Sequence, residues 1–382
     1  MAGMNREKVD VFELLETSRI TQTNGKSGRG TPISLEGPPG LGKTAMLYQY
    51  CESINHYLYV VIAARTPSPD IEGFYIPDLV NGKVVHLTTG KFIGLETPEG
   101  YDGCCIFFDE FTNAMEDTQT AVQSMVQDGR LGDKVKDPNC WYAFAWNPVG
   151  SNCGSNELIQ SMRDRISVIP IMADEQADKR GPSQAGTPYI SIEQDLFPQW
   201  MEMAMDDWDI DPRITGFHHS NRGLHFQRFD PDSADIAQPS PRGWVALSEI
   251  MSTGITGASL RVLATGRIGA SAWAEFWTFI NLRGANIPSY DDVVSEHTEA
   301  PVPPLSEPSH CYAAMTNIVR GIKERGEEIT REEIDKVLLY FRRLPETFAA
   351  YGWVLAKKNN HFFAERSPET ANFTIEYSDS IR

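Results

Sequence analysis

The chain has 382 residues, 41% hydrophobic and 10% aromatic, which is room for two domains or one with a large extension and too apolar for a disordered polymer. Its 52 Asp and Glu against 34 Lys and Arg leave a net charge of −18, an isoelectric point near 4.9, and no Lys/Arg cluster. That balance disfavours a protein gripping nucleic acid through a basic face, though a narrow basic pore loop within an acidic assembly would escape the argument.

Residues 1–30 offer a short amphipathic piece, Val9 to Leu15, and a polar stretch ending Asn24-Gly25-Lys26-Ser27-Gly28. Nothing in them assigns a role. Pro32 to Leu35 then reads as a short buried strand, followed by Glu36-Gly37-Pro38-Pro39-Gly40-Leu41-Gly42-Lys43-Thr44 and a helix from Lys43 to Ile54. Strand, Gly, four residues, Gly-Lys-Thr, helix is the context of a phosphate-binding loop. The glycines let the loop curl with its N–H groups inward, and the helix start adds partial positive charge. Lys43 is placed to reach the β- and γ-phosphates and the Thr44 hydroxyl to bind Mg²⁺.

Tyr57 to Ala63 is a continuous β-branched run, expected as a second buried strand. Pro69-Asp70-Ile71-Glu72-Gly73 follows, and Leu79 to Val85 carries the Asn81-Gly82 turn of a hairpin. Cys104 to Phe108 is an apolar strand ending in Asp109-Glu110, which delivers two carboxylates to the edge where the phosphate loop lies. Asp109 is assigned to Mg²⁺, and Glu110 to orienting the attacking water.

Thr118 to Asp128 predicts a helix with Ala121, Val122, Met125 and Val126 on one face and Gly129 as its stop. Trp141 to Trp146 predicts a fourth strand, ending in Asn147-Pro148. Asn147 is either the start of a turn or, at that sheet edge, a hydrogen-bond partner of the lytic water. In the stretch Leu158 to Ile166, before the strand Ser167 to Ile171, Arg163 and Arg165 are either solvated or turned toward a neighbouring subunit's nucleotide.

Glu175 to Thr187 reads as a polar linker, and the rest as helical. Ser271 to Leu282 places Trp273, Phe276, Trp277 and Ile280 on a core stripe. Ala300 to Pro308, with four prolines, reads as extended chain. In Thr330 to Leu344, Thr330 and Glu333 form a capping box, Ile329 and Ile334 a staple, and Pro345 a stop. Beyond Phe362 no pattern stands out. Cys51, Cys104, Cys105, Cys140, Cys153 and Cys311 contain no CxxC pair, which argues against zinc and for a reducing compartment. The N-terminus runs straight into charge, and the longest apolar runs are too short for a bilayer. A soluble, cytoplasmic protein is expected, without membrane insertion.

In this order, Gly-Pro-Pro-Gly-Leu-Gly-Lys-Thr, Asp-Ile-Glu-Gly with its hairpin, Phe-Asp-Glu-Phe, the Thr-Gln helix, Ala-Trp-Asn-Pro and Met-Arg-Asp-Arg-Ile resemble the AAA+ ATPases of the MoxR-like group. The resemblance covers Thr31 to Ile171 and resumes at Ser240-Pro241-Arg242. It implies an α/β P-loop AAA+ core, with a parallel sheet flanked by helices, followed by an α-helical lid domain. It implies ATP and Mg²⁺ as cofactors, Asn147 as first sensor, Arg165 as arginine finger with Arg163 able to share the role, and Arg242 as second sensor. The hairpin resembles the insertion that marks this branch, or is an ordinary surface hairpin. Two departures stand: the family's usual Arg-Phe is Arg165-Ile166 here, and a long polar insertion separates core from lid.

The expected organisation is an N-terminal segment at 1–30, the core at 31–175, a linker at 176–188, the lid at 189–361 and a tail at 362–382. The resemblance implies an ATP-hydrolysing, ring-forming remodelling motor or chaperone, a homo-oligomer, as a hexamer. Its partner would carry a von Willebrand factor A domain, supplied in trans because no Asp-x-Ser-x-Ser motif occurs here. No Asn-Lys-x-Asp guanine-reading motif occurs either, which favours ATP. Two rivals remain: a nucleic-acid-directed motor, McrB-like or helicase-like, disfavoured by charge, and a nucleotide-gated scaffold with little turnover, disfavoured by Glu110.

Overall fold

The alternation of apolar runs with helix-forming stretches in the first half of the chain builds one parallel sheet. The structure is a computed structural model that describes residues 8–24, 30–87, 96–131, 134–148, 157–180, 187–206, 208, 210–233, 235–281 and 287–378. It divides into two units, Met1–Leu196 and Phe197–Arg382.

The first unit runs α1 (Val11–Asn24), β1 (Ile33–Glu36), α2 (Lys43–Ser53), β2 (His56–Ile62), α3 (Ser68–Glu72), β3 (Phe74–Asp78), β4 (Lys83–Leu87) and β5 (Gly103–Asp109). It continues with α4 (Glu116–Asp128), β6 (Arg130–Leu131), β7 (Lys134–Val135), β8 (Cys140–Trp146), α5 (Gln160–Arg163), β9 (Ser167–Met172), α6 (Asp174–Asp178) and β10 (Ile190–Ser191). Six strands pair in the order β10-β9-β1-β8-β5-β2, all parallel. The interior strands β5 and β8 are buried from end to end apart from the tip at Asp109, as continuous apolar runs in a two-faced sheet should be. Phe108 stacks on Phe144 at 5.2 Å, and Phe111 meets Phe144 edge-on at 4.9 Å. Helix α4 buries Ala121, Val122, Met125 and Val126, the predicted face, and ends where Gly129 turns left-handed (φ 62°) with its N–H on the Met125 carbonyl.

Three readings are corrected here. The run containing β2 is one of the two edge strands among the described residues of this sheet, with Tyr57 and Ile62 exposed, not one buried on both faces. β-Branching records fitness for a pleated surface and does not say which strand is central. The hairpin of β3 and β4 closes through four residues, Leu79 to Gly82, because the Asp78 carboxylate accepts from the N–H groups of Val80 and Asn81 and so caps a wider loop. Its tip leaves Leu79 and Val80 about 90% and 92% exposed. The third concerns the core stripe of a helix in the second unit, below.

Helix α1 is fastened to the sheet through Gln22, which is buried. Its amide donates to the Tyr142 carbonyl (3.0 Å) and accepts from the Tyr142 N–H (2.8 Å). The β1–β8 register begins at Ile33 opposite Ala143, so Gln22 supplies the neighbour that β1 does not yet provide at Tyr142. At the other border, β10 lies beyond the expected linker and inside the span 189–361, yet it pairs with β9 of the sheet. Gly181, Pro182 and Gly186, and Gly25 to Gly28 of the polar stretch, lie outside the described residues.

The second unit is helical: α7 (Phe197–Asp206), α8 (Pro212–Asn221), α9 (Pro241–Ser252), α10 (Gly257–Ile268), α11 (Ala270–Ile280), α12 (Tyr290–Glu296), α13 (Pro308–Arg325), α14 (Arg331–Phe341), α15 (Glu346–Asn359), α16 (His361–Glu365) and α17 (Glu369–Glu376). Its core gathers Met315, Ile318 and Ile322 of α13 with Ile334 and Phe341 of α14 and Trp353 of α15. Phe363, Phe373 and Tyr377 join it, so the stretch beyond Phe362, patternless in sequence, is part of this core. The capping box of Thr330 and Glu333 forms, and Ile329 and Ile334 are both fully buried. On α11 the buried face is Ala272, Trp273, Phe276 and Phe279, while Trp277 is 42% exposed. The stripe is rotated from the expected one because Ala272 and Phe279, not Trp277 and Ile280, complete it; Leu282 lies outside the described residues. The five described cysteines are buried and outside any disulfide, and Cys153 lies outside the described residues. Among the described residues no helix is long and apolar enough to cross a membrane.

Candidate nucleotide site

Parallel registration decides what meets at the C-terminal edge of the sheet. Glu36 lies opposite Trp146, and Phe108 opposite Phe144, so the chain leaves β1, β5 and β8 at nearly the same level. The phosphate loop starts there, with the Gly37 N–H on the Trp146 carbonyl (3.2 Å). Gly40 and Gly42 take φ of 81° and 86°, a region that costs an L-residue about 1 kcal/mol or more. Gly42 is the N-cap of α2, and buried Leu41 anchors the loop between these two turns.

Lys43, the first residue of α2, is 8% exposed, and its ammonium lies within the curl of the loop. It donates to the carbonyls of Gly37 (2.7 Å) and Pro38 (3.0 Å) and to Asn147 Oδ1 (3.1 Å). Pro39 completes the loop beside Pro38. Thr44 Oγ1 donates to Asp109 Oδ2 at 2.7 Å, and Asp109 Oδ1 accepts from the Glu110 N–H at 2.9 Å. Glu110 itself sits left-handed (φ 53°), a conformation uncommon outside Gly, Asn and Asp, and its side chain is exposed. Lys43, Thr44, Asp109 and Asn147 thus form two hydrogen-bonded pairs at one edge, with Glu110 following Asp109 directly.

A hydroxyl beside a carboxylate, both hard oxygen donors, suits Mg²⁺, and a cationic loop with inward curvature suits a polyphosphate. Thr44 and Asp109 would hold the ion, and Gly37 to Thr44 the phosphates. Among the described residues no group of three or more His, Cys, Asp or Glu is otherwise placed to hold a metal.

The arginines have other partners. Arg163 Nε donates to the Leu158 carbonyl (3.1 Å) and its terminal nitrogen meets Glu157 at 3.4 Å, leaving the side chain 48% exposed. Arg165 is half-buried, donating from Nη2 to Gln127 Oε1 at 2.8 Å and from Nη1 to the Ser161 carbonyl. Arg242 belongs to the second unit, exposed in the first turn of α9, where Ser240 Oγ accepts from the Gly243 N–H (3.1 Å) and Pro241 opens the helix. Sequence reasoning missed Gln127, although glutamines at 119, 123 and 127 are a readable four-residue spacing.

Residues 32–165 match the AAA domain of the dynein-related subfamily. The chain is 27% identical over 158 residues to GTP cyclohydrolase 1 of Solanum lycopersicum, covering 39% of this chain and 31% of that protein, so it spans under a third of that relative's length. Among solved structures it is similar to the Holliday junction branch migration motor RuvB of Thermotoga maritima, at 13% identity and a TM-score of 0.34, covering 75% of this chain and 74% of that one. A variant of the same motor covers 96% and 86% of the two chains at 12% identity and a TM-score of 0.34. Sheet order, phosphate loop and family match agree on one point: residues 32–165 form an AAA domain, an ATPase fold.

Proposed function

We propose that this domain drives a ring-forming remodelling motor or chaperone of the MoxR-like type, hydrolysing ATP with Mg²⁺. The observation that carries the reading is the convergence of Lys43, Thr44, Asp109, Glu110 and Asn147 at one sheet edge. When ATP enters, Lys43 exchanges the carbonyls of Gly37 and Pro38 for phosphate oxygens. Thr44 and Asp109 would hold Mg²⁺ in place of their mutual hydrogen bond, and the ion would supply neutralisation of the phosphate charge. Glu110 orients and polarises the attacking water, and Asn147 shares that water. The work is positioning and charge stabilisation of the transferring phosphoryl group.

Arg165 is assigned a role in trans, as the finger in a hexameric ring, with Arg163 able to share it; both are held by residues of their own segment and of α4. Arg242 is the second sensor that reports nucleotide state to the lid. The exposed apolar tip at Leu79 and Val80 supports a contact outside this chain, and a von Willebrand factor A domain protein in the cytoplasm is the proposed partner.

Subunit mixing tests the ring. An arginine finger contributes about three to five orders of magnitude in turnover, so Arg165→Ala should bind ATP and barely hydrolyse it. Lys43→Ala should lose ATP binding and keep its finger. Mixing the two should restore part of the turnover, and light scattering should show a hexamer-sized species favoured by ATP over ADP. Full turnover by Arg165→Ala at dilutions where the protein is monomeric would refute the ring.

A further inference from the structure

Helix α4 starts six residues after Glu110, linked to it by a tight turn over Phe111–Asn113. It carries Gln119, Gln123 and Gln127 at four-residue intervals, hence on one face. Each amide holds the segment that bears the two arginines. Gln119 Oε1 accepts from the Ile159 N–H (3.2 Å), while its amide nitrogen donates to the Ala114 carbonyl (3.2 Å) just past the turn. Gln123 Oε1 accepts from the Ser161 hydroxyl at 2.6 Å. Gln127 Oε1 accepts from Arg165 Nη2 at 2.8 Å. The ladder therefore runs from the end of the Asp109-Glu110 strand to a guanidinium.

We propose that Gln127 is a positioning residue for Arg165, aiming the finger that this chain offers to its neighbour. The proposal rests on the finger reading of Arg165. A guanidinium carries five N–H donors. Gln127 and the Ser161 carbonyl take one from each terminal nitrogen, leaving, among the described residues, Nε–H and one N–H on each terminal nitrogen for a phosphate oxygen. The side chain is thus oriented without being used up. A neutral amide suits the task better than a carboxylate, which would cancel the charge that stabilises the transferring phosphoryl group. Holding a long, rotamer-rich side chain near its working geometry is where such a contact acts, because small misplacements at the reacting centre cost large factors in rate.

The test places the substitution on either side of a single interface. The reference mixture is Lys43→Ala, which donates the finger, with Arg165→Ala, which supplies the working pocket. Gln127→Met, similar in size but without the acceptor, goes first into the donor and then into the recipient. In the donor it should lower the mixture's kcat about tenfold with KM for ATP unchanged, and in the recipient it should change neither. Damage to α4 packing or assembly would act from both sides. Equal loss in both positions, or no loss in the donor, overturns the proposal. A reference mixture that is itself inactive fails the finger reading, and with it this proposal, before Gln127 is touched. If Gln127→Met melts at a lower temperature, Gln127→Asn, which keeps the amide one methylene short, must show the same one-sided loss.

Discussion

Acid should loosen the helical unit through two histidines, one fully and one partly buried. His218 of α8 is fully buried, with ring centroids of Trp244 at 4.6 Å, Phe217 at 5.6 Å, Trp200 at 5.7 Å and Phe197 and Phe226 at 6.0 Å. Among the described residues neither of its ring nitrogens has a hydrogen-bond partner. Burial first, then repulsion from His225 and His219, pushes its pKa down to about 3. Burial alone pushes His219, packed on Tyr312 and Tyr351, down to about 4. Both values lie below the usual 6.5, so the unfolded chain binds more protons as pH falls through 6.5. The associated stability is complete above that pH and drains away toward pH 4 and then 3. Between pH 7 and 5 each histidine should cost about 2 kcal/mol, about 4 together. Against a typical margin of about 5 to 15 kcal/mol, that is a large fraction. Urea melts followed by tryptophan fluorescence at pH 7, 6 and 5 would measure it, with His218→Phe as the non-titrating reference in the same aromatic nest. The variant should lose about 2 kcal/mol less than wild type between pH 7 and 5, since carboxylate contributions are common to both and cancel. Identical losses would refute the reasoning.

Glu110→Gln should bind ATP with unchanged affinity yet hydrolyse it about a hundredfold or more slowly, because the amide cannot polarise water; wild-type turnover in a single-turnover assay would remove Glu110 from the site. Arg242→Ala should lower ATP affinity or turnover while circular dichroism stays unchanged, and equal affinity with equal turnover would leave Ser240-Pro241-Arg242 as only a helix start. Gln22→Ala strands the Tyr142 N–H and carbonyl inside the sheet, so the first unit should lose about 2 to 4 kcal/mol in denaturant melts, with a loss under 1 kcal/mol counting against the strand-completing role.

The legible part of this chain is where the chemistry is local. A phosphate loop must turn left-handed at Gly40 and Gly42 and place a lysine and a hydroxyl in succession, so spacing alone exposes it. Asp109 and Glu110 were legible because a strand buried on both faces has no polar residue until its tip. The Thr330 capping box was legible because its partners are three residues apart. Position within the sheet was not legible: the run from Tyr57 reads like an interior strand, and only its pairing with β5 alone puts it at the edge. The tail was missed because Phe363, Phe373 and Tyr377 are too widely spaced to make a periodic stripe, and they earn their burial from α14 and α15.

The contacts that spacing could not reveal are the ones that join distant segments through side-chain amides. Gln22 and Tyr142 are 120 positions apart, and Gln127 and Arg165 are 38. A glutamine on a helix surface is ordinarily solvated, so composition gives it no weight. It gains meaning only when folding leaves a backbone pair or a guanidinium in need of a further partner at that place. Both cases here follow that logic: β1 begins one residue too late to satisfy Tyr142, and α5 ends before Arg165, leaving that side chain to find its acceptors on α4 and at the Ser161 carbonyl. The phosphate-binding chemistry is therefore written along the chain. The contacts that join its distant segments are written across the chain, in neutral amides that fill gaps the strands and helices leave.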